Sequence, residues 1–146
     1  MNEYSEMKKR HEQEFNAWTD GKMFFAFNEK QFNEGMREIG LKPNETGKIC
    51  RGPAGGFLRK DAAGEFVAMM KRHSDEMRNA IAADQTGEGF IYQAIFTELV
   101  NHEYCITCDP EDALNALGIT AEDIESNPAI AHGLKLAEDA AMRDGE

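Results

Sequence analysis

The spacing of apolar residues predicts a chain that is built mainly from helices. Several segments repeat apolar positions every three or four residues, which is the pattern of a helix that buries one face. The clearest of these begins near Asp61 and carries the stripe Phe66, Met69, Met70, His73, Met77, Ala80 and Ile81. A narrower stripe on the heavily charged segment 3–18 predicts another helix at the start of the chain.

A helix over residues 88–103 is predicted to lie at the centre of the core. It carries two adjacent apolar ridges, formed by Ile91, Ile95 and Leu99 and by Tyr92, Phe96 and Val100. An apolar surface of that width requires neighbouring elements on more than one side.

Capping residues mark the starts of the other helices. Asn28, with Gln31 three residues later, matches the capping-box pattern. Asp109-Pro110 and Asn127-Pro128 each place a capping side chain before a proline at the first helical position. Thr120 predicts a brief helical turn between them.

The region before the clearest helix favours strands. Met23–Phe27 is short and continuously apolar, which predicts a buried strand. Prolines and glycines exclude a helix over residues 41–60, where Ile49-Cys50 and Phe57-Leu58 could pair as a hairpin beside that strand. The sequence therefore predicts an α+β, mainly α fold: one domain over residues 1–146, with about five to six helices and a small antiparallel hairpin or sheet near residues 23–60.

Charge is distributed very unevenly along the chain. Residues 1–85 hold 14 acidic and 14 basic residues, whereas residues 86–146 hold 13 acidic residues against only Lys135 and Arg143, so the second part carries the whole net charge of −11. Such a surface repels nucleic acid and anionic membranes and attracts basic partners. One interpretation is that the excess of acidic residues serves only to keep the protein solvated. The alternative is that it binds a specific basic partner.

Composition excludes several classes of protein. No apolar run approaches the ~18 residues that a membrane span needs, and the N-terminus lacks the apolar segment of a signal peptide. Three cysteines, two of them close together, do not make the disulfide framework of a secreted domain. We expect a cytoplasmic protein with reduced thiols, without a cofactor and without membrane contact.

His102-x-x-Cys105-x-x-Cys108 is the candidate metal site. Imidazole nitrogen and thiolate sulfur are ligands of tetrahedral zinc, and the Cys-x-x-Cys spacing lets two thiolates share one ion. A fourth ligand would have to come from Cys50 or from another histidine. The competing interpretation is that both close cysteines are small buried or half-buried packing residues after a helix. A redox Cys-x-x-Cys is disfavoured because no βαβ pattern surrounds it.

Other polar residues have both a chemical and a structural interpretation. Glu98 and Glu103 could form an acid–base pair, but solvated carboxylates are the simpler explanation. His73 falls within an apolar stripe and is expected to be a satisfied core histidine. The Gly47–Lys60 loop has glycines and basic side chains that would suit an anion, although it lacks the P-loop pattern, and a mobile basic hairpin is the alternative.

Three segments resemble a family of small uncharacterised proteins encoded by gut bacteria and by their phages and plasmids. They are MFFAFNEKQFNEGM from Met23, GGFLRK from Gly55 and NHEYCITCDPEDALNALG from Asn101. The resemblance spans about residues 23–136 and implies no catalytic residues. Small acidic proteins of mobile elements include anti-CRISPR inhibitors, some of which mimic DNA by presenting carboxylates to a basic cleft, so the resemblance implies a binding role at the level of class.

We therefore expect a non-enzymatic binding or inhibitor protein of a phage or other mobile element. It would dock its acidic part on a basic, nucleic-acid-handling host protein such as a CRISPR effector, without binding nucleic acid itself. The expected contacts are Glu111, Asp112, Glu122, Asp123 and Glu125. The alternatives are a small zinc protein or enzyme that uses the histidine and two close cysteines, and an acidic structural module with no specific partner.

Overall fold

The computed structural model describes residues 2–52 and 55–144 and has the predicted α+β, mainly α fold. Its helices are α1 (Glu3–Thr19), α2 (Glu29–Glu38), α3 (Ala63–Ala83), α4 (Phe90–Asn101), α5 (Tyr104–Thr107), α6 (Glu111–Leu117), α7 (Ala121–Ser126) and α8 (Pro128–Asp144). Its strands are β1 (Met23–Phe24), β2 (Ile49–Arg51) and β3 (Phe57–Arg59). The helices in this part of the chain outnumber the predicted five to six because α5, α6 and α7 are only four, seven and six residues long.

The chain forms two compact units, each with its own apolar cluster. Arg10–His73 make up one, which we call the sheet unit, and Met1–Lys9 together with Ser74–Glu146 make up the other, which we call the C-terminal unit. None of the described helices is long and apolar enough to cross a membrane.

The sheet unit contains the predicted hairpin and its neighbouring strand. β3 lies in the middle and pairs antiparallel with β1 and β2, so that Leu58 is opposite both Met23 and Cys50. The apolar cluster beneath it has Phe24, Met36, Ile39 and Leu41 as its buried members. The middle of the hairpin loop, at Pro53, lies outside the described residues.

The strand predicted over Met23–Phe27 is wrong in its second half. Only its first two residues pair, and Phe25 and Phe27 are 50% and 91% exposed. The cause is the cap of α2. The side chain of Asn28 accepts the backbone N–H of Gln31, and the side chain of Gln31 accepts the backbone N–H of Phe27. The chain therefore turns away from the sheet before a longer strand can form.

Aromatic side chains join α1 to α3 within the sheet unit. The Phe66 ring lies 6.2 Å from Phe15 and 5.5 Å from Trp18, and the indole N–H of Trp18 donates to Glu65. The predicted stripe of α3 is less buried than expected, since Met69 is its only fully buried member among the described residues.

The C-terminal unit is organised around α4. Ile91, Ile95 and Leu99 are completely buried, and α4 packs mainly on α8 and α6. Full burial of each such side chain contributes about 1.5–3 kcal/mol. The second predicted ridge is only half-buried, and its last residue, Val100, is 45% exposed. The prediction of a central helix is confirmed for one ridge, while the other lies at the edge of the core.

Two of the predicted helix starts of this unit differ in how well they match the structure. The Asn127 side chain accepts the backbone N–H groups of Ala129 and Ile130, and Pro128 is the first residue of α8, as predicted. The Asp109 carboxylate accepts the backbone N–H of Glu111, but α6 begins at Glu111, one residue later than predicted, with Pro110 at the cap position. The predicted turn after Thr120 is α7. Each cap satisfies N–H groups that the helix itself leaves without an acceptor.

A turn before α4 brings the backbone against α8. The Asp84 carboxylate accepts the backbone N–H groups of Gly87, Gly89 and Ile91 at 3.0–3.1 Å. Burial opposes the charged form, but these hydrogen bonds hold the pKa of Asp84 below its usual range. Gly87 has a positive φ of 83°, and a Cβ atom there would lie 1.9 Å from the Ala129 carbonyl oxygen, so only glycine fits.

We expect Gly133→Ala to lower the free energy of unfolding by about 1–3 kcal/mol. A Cβ atom at this position in α8 would lie 2.6 Å from the Gly87 carbonyl oxygen and 2.7 Å from Ile91. Gly64→Ala is the matched control, because it is also helical and its Cβ would meet nothing within 4 Å. The free energy of unfolding of the control should rise by up to ~1 kcal/mol, because alanine has a higher helix propensity than glycine. Urea unfolding measures the free energy of unfolding of both variants. An equal change in the two would contradict the close approach of Gly133 to the Gly87 carbonyl oxygen.

Candidate functional site

The carboxylates predicted to bind a partner lie on α6 and α7. Glu111, Asp112, Glu122 and Glu125 are exposed, and Asp123 is half-buried. Within the described residues, none of the five forms an ion pair. These two helices therefore present negative charge that the chain itself leaves uncompensated.

Asp123 differs from the other four because it caps α7. Its carboxylate accepts the backbone N–H of Thr120 at 2.9 Å, and the Thr120 hydroxyl accepts the backbone N–H of Asp123 at 3.1 Å. This reciprocal capping box fixes the start of a six-residue helix. Replacing Asp123 would therefore change the fold of the segment as well as its charge.

The positions of these acids also have a structural explanation. Glu111 and Asp112 lie in the first turn of α6, and Glu122 and Asp123 lie in the first turn of α7. Negative side chains at a helix N-terminus interact favourably with its dipole, by about 0.3–1 kcal/mol each. Glu125, in the last turn of α7, gains nothing from that dipole.

Some carboxylates of the sheet unit, by contrast, are paired with basic side chains. Glu45 pairs with Lys48 at 2.5 Å and Asp61 with Arg59 at 2.8 Å. These ion pairs keep the pKa of each carboxyl group below its usual range. These paired carboxylates differ from the five on α6 and α7, which form no ion pair within the described residues.

Basic residues of the Gly47–Lys60 loop are also engaged within the unit. Arg59 donates to Asp61 and, at 2.6 Å, to the Ile39 carbonyl oxygen. Arg51 lies over the Phe57 ring at 4.7 Å. These contacts support the interpretation of a basic hairpin rather than an anion site, within the described part of the loop.

Glu14 and two histidines form a polar cluster between α1 and α3 of the sheet unit. His73 bonds to the Glu14 carboxylate at 2.6 Å and stacks on His11 at 3.9 Å, so His73 is a satisfied and mostly buried histidine, as predicted. Hydrogen bonds from Arg72 and then from His73 lower the pKa of Glu14 to about 2. The parallel stacking of the two rings gives them a packing role.

His102, Cys105 and Cys108 do not form a metal cluster. Among the described residues, no three His, Cys, Asp or Glu side chains are grouped so that they could hold an ion. The His102 ring bonds through Nδ1 to the Glu98 carbonyl oxygen at 2.8 Å. The competing interpretation is wrong as well, because both cysteines are exposed. Left-handed backbone at Glu103 and Cys108 bounds α5 at both ends.

Glu98 is the buried charged residue that sequence reasoning missed. It was predicted to be a solvated carboxylate, but it is 2% exposed. The Tyr4 hydroxyl donates to its Oε2 at 2.5 Å and the Lys8 ammonium at 2.7 Å, while His102 lies 3.8 Å from Oε1. The only sequence signal is the helical spacing, which places Glu98 between two buried apolar positions of α4.

Hydrogen bonds decide the charge of this buried group. Burial raises the pKa of Glu98, yet the hydrogen bonds from Lys8 and Tyr4 outweigh burial and hold it below its usual range. Burial, and then the hydrogen bond to the carboxylate, raise the pKa of the Tyr4 hydroxyl. Glu98 is thus an ionised anchor that fixes the first turns of α1 to α4.

We expect Glu98→Gln to lower the free energy of unfolding at pH 7 by about 1–3 kcal/mol, because the Lys8 ion pair is lost while the shape is kept. Because the folded pKa of Glu98 is lowered, its ionised form stabilises the fold above the unfolded pKa of ~4.3. That stability is lost as the pH falls through the folded pKa.

Urea unfolding across this pH range should show the gap between wild type and variant closing on the acid side. Glu125→Gln, an exposed change in the same unit, should shift stability by less than ~0.5 kcal/mol at every pH. A difference in the free energy of unfolding between wild type and variant that does not change with pH would contradict an ionised Glu98.

Comparison with known proteins gives one match. No curated protein and no solved structure matches the chain. A family model described as a family of unknown function, DUF7659, matches residues 3–140, and the matched range includes the capped acidic helices, the Glu98 anchor and the sheet unit. The chain therefore belongs to the DUF7659 family of unknown function.

Proposed function

We propose that this protein is a non-enzymatic binding protein that docks the exposed carboxylates of α6 and α7 on a basic surface of a nucleic-acid-handling protein. The observation that supports it is the unpaired charge of these helices, in a stretch without Lys or Arg from residue 79 to residue 134. Carboxylates that lack an internal partner are available to a basic one, and a basic surface that binds phosphates accepts them in the same way.

Exposed apolar side chains in the same unit supply a second component of such an interface. Ile106 is 74% exposed and lies three residues before Asp109 in the chain, and Val100 is 45% exposed at the end of α4. Protein interfaces combine a desolvated apolar centre with a polar rim. In this proposal Ile106 contributes apolar contact, and the carboxylates attract the basic partner and fix its orientation.

The resemblance to proteins of mobile elements narrows the class of partner. A phage or plasmid gains from blocking a host protein whose basic groove binds nucleic acid, and a CRISPR effector is such a protein. The acidic helices would occupy part of the phosphate-binding surface and compete with DNA. Binding of this kind weakens steeply as salt concentration rises.

The experiment is affinity capture from lysate of the source organism, with three forms of the protein compared by quantitative mass spectrometry. The first is the wild type. The second carries Glu111→Gln, Asp112→Asn, Glu122→Gln and Glu125→Gln, which removes the exposed carboxylates but leaves the capping residue Asp123. The third removes four exposed carboxylates of the sheet unit, by Glu12→Gln, Asp20→Asn, Glu34→Gln and Glu38→Gln.

We expect the wild type and the sheet-unit variant to capture the same basic, nucleic-acid-binding protein, and the α6–α7 variant to capture it at least ~10-fold less. A short DNA duplex or ~0.5 M salt should release it from the wild type. Equal capture by all three forms, or capture that neither DNA nor salt reverses, would refute the proposal. Equal loss in both variants would show that net charge alone matters, as in an acidic module without a specific partner.

A further inference from the structure

The two close cysteines are exposed at a turn that sits at the edge of the C-terminal unit. Cys105 and Cys108 are both exposed and unbonded, whereas Cys50 in β2 is half-buried. Glu103 before the turn and Cys108 at its end have positive φ angles of 56° and 58°, and neither is glycine. The left-handed region is unfavourable for residues with a Cβ atom, so tertiary contacts must hold this turn in place.

Those contacts hold the turn through Tyr104 and leave its two cysteines accessible. The Tyr104 hydroxyl donates to Glu138 of α8 at 3.0 Å, and the backbone N–H of Cys108 closes the turn on the Tyr104 carbonyl oxygen at 2.8 Å. Cys105 and Cys108, in the same turn, are both exposed. Access is the first requirement for thiol chemistry.

The second requirement is that the two thiols lie close together. Cys105 lies within α5 and Cys108 is its C-cap, so only two residues separate them in the chain. A disulfide needs Cβ atoms about 3.5–4.5 Å apart and Cα atoms within about 4.4–6.8 Å. Cys108 lies outside the last helical residue of α5, and the hydrogen bond that disulfide closure would strain is the one from its backbone N–H to the Tyr104 carbonyl oxygen.

We propose that Cys105 and Cys108 are a redox modification site that forms a reversible intramolecular disulfide with a low-molecular-weight disulfide as oxidant. One thiolate attacks the oxidant, which gives a mixed disulfide and releases one small thiol. The second thiolate attacks the protein sulfur and releases the other. The two protein thiols lose two electrons and two protons, and the oxidant gains them as two thiols. The chemistry of these thiols does not depend on the proposed function.

The charge around the turn predicts which oxidants react fastest. Glu103, Asp109 and Glu111 are exposed beside the two cysteines, and no Lys or Arg lies between residues 79 and 134. A cationic disulfide is attracted and an anionic one repelled by such a surface. Cystamine should therefore react faster than the neutral hydroxyethyl disulfide, and glutathione disulfide should be slowest, with the differences shrinking in high salt.

The test uses the full chain with Cys50→Ser, so that only the two close thiols remain. After treatment with ~1 mM hydroxyethyl disulfide under native conditions, intact-mass spectrometry should show loss of two hydrogens, with mixed disulfide below about a tenth of the protein. That ratio follows because the effective concentration of the neighbouring thiol, at least in the millimolar range, exceeds that of the free small thiol.

Cys105→Ser and Cys108→Ser in the same background are the controls. Each should stop at a single stable adduct, and dithiothreitol should restore the free thiol in every form. Native circular dichroism before and after oxidation shows whether the fold is kept. Two adducts per chain, or no reaction at either thiol, would overturn the proposal. An oxidation rate that is equal for all three disulfides would overturn the role assigned to the surrounding carboxylates.

Discussion

The contact between the turn before α4 and α8, at Gly87 and Gly133, is the constraint on which the C-terminal unit depends. Backbone atoms meet where a Cβ atom would lie 1.9 Å from a carbonyl oxygen, so the two elements touch without an intervening side chain. This approach brings the buried ridge of α4, led by Ile91, directly against α8. The Asp84 carboxylate holds the turn that makes it possible by accepting three backbone N–H groups. Tight packing here leaves no tolerance for added volume.

The same helix carries the polar anchor of the unit. Glu98 is as well buried as the apolar residues around it, and a buried carboxylate is tolerated only when donors replace the water it loses. Lys8 and Tyr4 are those donors, and both come from the first turns of α1. Apolar packing and one charged contact thus join different parts of the chain to α4, which gives the unit a specific arrangement as well as a stable one.

Sequence reasoning succeeded where the deciding interactions are local. The caps at Asn28 and Thr120 use atoms within four residues, and the hairpin follows from two short apolar runs on either side of a glycine-rich turn. It failed where distant residues decide. Burial of Glu98 depends on Tyr4, 94 positions away. Cys105 is exposed in a short helix that left-handed residues bound at both ends, and no propensity of Glu or Cys indicates that conformation.

The unpaired carboxylates of α6 and α7 have a thermodynamic consequence for the protein alone. Like charges within one unit repel when no counterion pairs with them, and this repulsion opposes the folded state. Salt ions that screen it should therefore favour folding of the C-terminal unit, while the ion pairs of the sheet unit lose strength under the same conditions. A basic partner docked on α6 and α7 would take the place of those salt ions. Such a partner would serve as a macromolecular counterion, and its binding would stabilise the unit it covers.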